Sequence, residues 1–104
     1  MKPEFENIDL IKTGKRFEIE VNGYAAFIDY REMGHQIALV HTEADPELAG
    51  TGAAAAAVVE KTLHYIEDNG KKLLPFCPYV FAYIKKNPDW KRIVDERFDG
   101  YDKL

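Results

Sequence analysis

The chain is expected to be mixed α/β (α+β): an antiparallel three-stranded meander, then a helical crossover to a parallel, splayed fourth strand. Three observations predict this. Apolar and polar residues alternate from Arg16 to Asn22, an Asn22-Gly23 pair follows at once, and after a glycine-containing bend at residues 47–53 the period lengthens to that of a helix.

Phe17, Ile19 and Val21 alternate with Arg16, Glu18, Glu20 and Asn22, the pattern of a half-buried strand. Both central positions of a two-residue hairpin turn favour positive φ, which Asn22-Gly23 supplies, so Tyr24 to Arg31 returns antiparallel. Glu32 to His35, with Gly34, turns again. Gln36 to Glu43 is the third strand, and strict alternation places Ile37, Leu39, His41 and Glu43 on one face and Ala38, Val40 and Thr42 on the other. The alanine-rich helix that follows carries Ala55, Ala56, Val59, Leu63 and Ile66 on one stripe, with Glu60, His64, Glu67 and Asp68 opposite. Asn69-Gly70 stops it.

Lys71 to Cys77 is the fourth strand, parallel to the third because a helix joins them. Pro75 has no N–H to give a ladder, so this strand lies at an edge or splays from its neighbour near its end. Pro78 suits the first turn of a second helix through Tyr79 to Ile84, which gathers Lys85 and Lys86 at its negative end and stops before Pro88. A short helix from about Trp90 follows, with Asp89 as N-cap.

Composition limits the function. The 104 residues suit one domain over 1–104, and so small a core gains from dimerisation, so a monomer or homodimer is expected. A net charge of −4 with scattered Lys and Arg argues against nucleic acid and mildly favours a cationic substrate. The single cysteine, Cys77, cannot form an internal disulfide, Met1 to Glu6 lacks the features of a secretory signal, and no run approaches a membrane span. A cytoplasmic protein is expected.

Two parallel strands joined by a helix send their carboxyl ends to one edge of the sheet, where ligands of open α/β sheets collect. His41, Glu43 and Cys77 fall at that edge with the bend Glu47-Leu48-Ala49-Gly50-Thr51-Gly52-Ala53. The first turn of a helix has amide donors without partners and partial positive charge, so the bend is a candidate cradle for a phosphate or pyrophosphate.

The order His41-Thr42-Glu43, Gly50-x-Gly52-Ala53 opening a helix, Pro75-Phe76-Cys77-Pro78-Tyr79-Val80, and Tyr83-Ile84-Lys85-Lys86-Asn87-Pro88 resembles the small single-domain branch of the GNAT superfamily of acyl-CoA N-acyltransferases. The resemblance runs from about Phe17 to Val94. It implies acetyl-CoA as cofactor and a GNAT-like N-acetyltransferase fold. By the same resemblance, the amides of Leu48, Ala49, Gly50, Thr51, Gly52 and Ala53 would hold the pyrophosphate. The strand edge at His41, Thr42 and Glu43 would hold the pantetheine, and Tyr83 would stand near its end. One departure is Glu47, where the superfamily usually has Arg or Gln, so the cradle would depend on backbone donors.

Acyl transfer to an amine needs a deprotonated nucleophile, stabilisation of the developing oxyanion and a proton for the departing thiolate. Tyr83 is the candidate for the last role by resemblance; otherwise it is a core tyrosine with its hydroxyl at the surface. Glu43, or His41 with less tuning, is the candidate base, unless the amine attacks already neutral. The oxyanion donor is a backbone amide of the third strand. Cys77 at a helix N-terminus is a candidate for an acyl-cysteine route or simply a thiol beside the acyl group. His35 and His64 form no familiar metal-ligand spacing with His41 and Cys77. Three readings follow: a transferase acting on an amine of a small molecule or protein, a non-catalytic CoA-binding module, and an interaction domain that uses the open sheet edge.

Overall fold

The structure, a computed structural model, describes residues 3–48 and 52–104. Its elements run in the order α1 (Pro3–Glu6), β1 (Ile11–Lys12), β2 (Arg16–Val21), β3 (Tyr24–Met33), β4 (Gln36–Ala44), α2 (Ala53–Asp68), β5 (Lys72–Pro75), α3 (Pro78–Lys86) and 3₁₀ segments at Pro88–Ile93 and Tyr101–Lys103. The sheet is ordered β1-β2-β3-β4-β5, antiparallel through β4 and parallel between β4 and β5. The mixed fold expected from sequence is the fold observed. No described helix is long and apolar enough to cross a membrane.

Asn22 and Gly23 both take positive φ, 53° and 83°, so the β2–β3 turn has the geometry that selects Asn-Gly. The register Phe17↔Ile28 and Ile19↔Ala26 then stacks four wholly buried residues on one face. Helix α2 lies over β2, β3 and β4 and contributes Ala54, Ala57, Val58, Leu63 and Ile66 to the same core. This corrects the predicted stripe at its start: Ala54 and Ala57 are buried, while Ala55 and Ala56 are only half-buried. Five consecutive alanines carry no periodicity, so packing alone chose the face.

The face assignment on β4 needs a larger correction. Asp29 pairs with His41, but the next β3 residue, Tyr30, pairs with Leu39, so Val40 is an extra residue on β4. Such a β-bulge changes the parity of everything beyond it. Thr42 and Ala44, opposite buried Ile28 and Ala26, therefore share the core face with Ile37 and Leu39. His41 and Glu43 move to the opposite, outer face.

Other boundaries differ in smaller ways. The fourth strand ends at Pro75, and Cys77 is the N-cap of α3. The segment after α3 is 3₁₀, starts at Pro88 and has Asn87 rather than Asp89 at its N-cap. Sequence periodicity did not reveal α1, β1 or the parallel bridge Leu73↔Val94 on the outer edge of β5, because each is too short to show a period. Phe5 and Val94 are nevertheless buried in the core. Asp95 locks the last segment down: its carboxylate accepts from Gln36 Nε2 at 2.8 Å and from the backbone N–H of Arg97 at 2.9 Å.

Candidate functional site

The candidate site lies where β4 and β5 part. Their paired register ends at Leu39↔Pro75, and the Cys77 N–H donates to the Leu39 carbonyl at 2.8 Å. Around Pro75 the Phe76 N–H returns to the Leu74 carbonyl at 3.0 Å, an i→i+2 turn that takes the chain away from β4. Both alternatives for Pro75 are realised: β5 is the last full strand of the sheet, and its end splays. Strand β4 continues to Ala44 with β3 on one side only.

Alternation of the antiparallel ladder decides which backbone groups face the gap. Asp45 donates to the Ala25 carbonyl at 2.9 Å, so in the same register Glu43 and His41 direct their backbone groups towards β3. Those of Thr42 and Ala44 point the other way, to the side β5 has vacated. A strand edge of this kind accepts an extended, amide-bearing ligand.

Inside the splay, the Thr42 hydroxyl lies 3.3 Å from the Cys77 sulphur. Cys77 is 2% exposed and caps a nine-residue helix, with its carbonyl accepting from Phe81 N–H at 2.9 Å. The bulge is what brings Thr42 onto this side. His41 and Glu43 pair with each other on the outer face, Nε2 to Oε2 at 3.6 Å, and both are well exposed. The structure thus brings Thr42 and Cys77 together and separates His41 and Glu43 from them by the thickness of the strand.

Tyr83 is half-buried on α3 and packs against the core. Burial first, then the charge and hydrogen bond of Glu60 on α2, push its phenol up to about 12. Tyr79, one turn earlier on the same helix, is also raised, by burial and then by Cys77. Sequence reading missed both partners: Tyr79 stood at the i−4 position from Tyr83, and Glu60 was assigned to the solvent side of its helix. The bulge at Val40 had no signal in the residues.

At the mouth of α2, Gly52 is the N-cap with φ 74° and its carbonyl accepts from Ala56 N–H at 3.0 Å. A Cβ at Gly52 would meet no heavy atom within 4 Å, so glycine is required there for the backbone angle and the space around it is open. Before the bend, Asp45 caps a turn by accepting from Glu47 N–H through its carboxylate at 3.0 Å and from Leu48 N–H through its carbonyl at 2.8 Å. Glu47 is exposed, and Leu48 packs on the core. Ala49, Gly50 and Thr51 of the expected cradle lie outside the described residues.

His35 and His64 stand elsewhere. His35 Nε2 is 3.4 Å from Arg97 Nη2, and the His64 ring meets Trp90 edge-on at 4.9 Å. Among the described residues no group of three or more His, Cys, Asp or Glu is placed to hold a metal.

A family model described as GCN5-related N-acetyl-transferase matches residues 16–93, from the start of β2 to the end of the first 3₁₀ segment. No curated protein matches the chain.

Proposed function

The chain belongs to the GCN5-related N-acetyltransferase family, and from that premise we propose that it moves an acetyl group from acetyl-CoA to a primary amine by direct attack in a ternary complex, in the cytoplasm. The observation that carries this reading is the opened edge of β4, where Thr42 and Ala44 face a gap that starts at the last β4–β5 pair. Helix α2 is the next element after β4, and the open space at its N-cap Gly52 suits a backbone-lined cradle. The residues therefore fit the group.

Bound acetyl-CoA supplies an activated thioester: a C–N bond to the amine replaces its C–S bond, one amine proton is lost, and CoA leaves as the thiol. The protein's part is binding, orientation and proton handling. Leu48 to Ala53 would hold the pyrophosphate through backbone groups, and the Thr42–Ala44 edge would pair with the pantetheine amides. A backbone amide of β4 beside the gap would receive the developing oxyanion.

Glu43 and His41 are the groups that would take the amine's proton, from the outer face. Tyr83 would donate to the departing sulphur, the role that the family resemblance implies; its phenol, raised to about 12 by burial and by Glu60, is neutral in the working range as an ordinary tyrosine is. Cys77 has a hydroxyl beside its thiol rather than a base, which favours a neighbouring role over a covalent one.

Two measurements test the reading. Calorimetric titration should give saturable binding of acetyl-CoA, and a thiol-release assay with a panel of primary amines should show turnover dependent on both substrates. Binding without thiol release from any amine would leave a CoA-binding module instead; absence of binding would overturn the assignment.

A further inference from the structure

We propose that a groove on the outer face of the sheet, beside the splay, receives an apolar side chain of a polypeptide acceptor, so that the preferred amine is a lysine with a hydrophobic neighbour. This rests on the acetyltransferase reading above. The groove is lined by Gln36, Leu74, Phe76, Arg97, Phe98 and Asp99 and holds about 220 Å³.

Its size decides between occupants. Whole small-molecule sites run from roughly 300 Å³ upward, so this groove is matched to one side chain. Its floor is Leu74, 8% exposed, and its wall is Phe76, which meets Phe98 edge-on with ring centres 5.3 Å apart. Phe76 is 59% exposed although phenylalanine is among the residues most often buried. The i→i+2 turn at Pro75 explains this exposure: it leaves Phe76 outside while Cys77, the next residue, enters the core. A ligand resting on Phe76 is therefore one residue along the chain from the splay.

The groove also shares its face with the groups that handle the amine. Leu74 pairs with Ala38, and Ala38 with Arg31, on the side opposite α2. His41 and Glu43 stand on that side because of the bulge, and exposed Val40 lies between them and the groove. An acceptor extended along this face would advance about 3.3 Å per residue, with the residue next to the reactive lysine seated on Phe76. The Arg97 guanidinium is committed to Asp95 at 3.2 Å, which leaves the Asp99 rim and Glu43 to favour an acceptor with positive charge.

The test uses the full chain and two peptides that share a central lysine, flanked on both sides by leucine in one and by alanine in the other. The wild-type kcat/KM should favour the leucine-flanked peptide by about tenfold, the scale of one well-packed apolar contact. Phe76→Ala should bring the ratio close to one, and Phe76→Met should preserve most of it. Because each ratio is taken within one protein, partial loss of folding cancels, and the wild-type ratio stands without any variant. A wild-type ratio within about twofold of unity overturns the groove while the transferase reading survives. Failure to release thiol with either peptide and with small amines overturns both.

Discussion

Thr42 Oγ1 and Cys77 Sγ stand 3.3 Å apart across the gap between two parallel strands, and they do so because of one extra residue, Val40. Without the bulge, parity would send Thr42 outward and place His41 against the thiol. The mechanism depends on this exchange. Cys77 acquires a hydroxyl neighbour, and the imidazole and carboxylate face the outer side of the sheet.

Cys77→Ala and Cys77→Ser should both retain turnover within a few-fold of wild type, since the thiol's hydrogen-bond partner is the Thr42 hydroxyl rather than a base. The smaller side chain at a buried position costs roughly 1 kcal/mol of stability. Steady-state kinetics with a matched melting curve check this; complete loss of turnover in folded, CoA-binding protein would restore the covalent route.

Tyr83→Phe should lower kcat by ten- to a hundredfold, at or below the usual worth of a positioned proton-transfer group, with the CoA Kd nearly unchanged. The raised phenol adds a pH signature. The folded state holds this proton more tightly than the unfolded chain, whose tyrosines titrate near 10, so the contribution to stability is complete below about pH 10 and is lost as pH rises through about 12. Glu60→Gln removes the neighbouring charge and should move the Tyr83 titration downward, as read by ultraviolet absorbance.

Glu43→Gln and His41→Gln separate the two candidate bases. The true proton acceptor should lose roughly a hundredfold in kcat/KM, with the ascending limb of the pH profile flattened. The other variant should lose far less, because at 3.6 Å and in solvent the pair contributes little by itself. Equal, small effects in both would mean that the amine attacks already neutral.

Gly52→Ala should destabilise the fold by roughly 1 kcal/mol, because φ 74° puts a Cβ against the following carbonyl while the surrounding space is open. Gly52→Val adds bulk at the helix mouth and should weaken acetyl-CoA binding more than tenfold. Calorimetry gives both answers, and an unchanged Kd in the valine variant would move the pyrophosphate away from α2.

Asp95 predicts an acid response. Hydrogen bonds from the Arg97 and Gln36 side chains and the Arg97 backbone hold its carboxyl well below the usual range. Its stabilisation is present above the unfolded value near pH 4 and fades as pH falls below it. Asp95→Asn should lower Tm at neutral pH and shrink the drop in Tm between pH 5 and 2, as followed by circular dichroism.

The residues announced the meander, the crossover and the parallel fourth strand. Those features follow from local causes: period-two alternation at Phe17 to Val21, positive φ at Asn22-Gly23, an uninterrupted helical stretch after Gly52, and a proline that cannot complete a ladder. Short-range physics is written directly in the order of side chains. Where Ala53 to Ala57 offered five equal side chains, sequence had no preference to express, and contact with the sheet chose Ala54 and Ala57.

Only tertiary structure decided what faces what at the site. Val40 has no property that marks it as a bulge; it becomes one because β3 and β4 must satisfy their ladder while Leu39 also pairs with Pro75 on β5 and accepts from Cys77, the N-cap of α3. That three-strand bookkeeping reversed His41, Thr42 and Glu43, drew Glu60 to Tyr83 across two helices, and left Phe76 in solvent beside a buried thiol. Sequence alone determined the order of the longer elements from β2 to α3, because each is a local balance of period and turn. The tertiary fold determined the chemistry each residue faces, because register is set by partners distant along the chain.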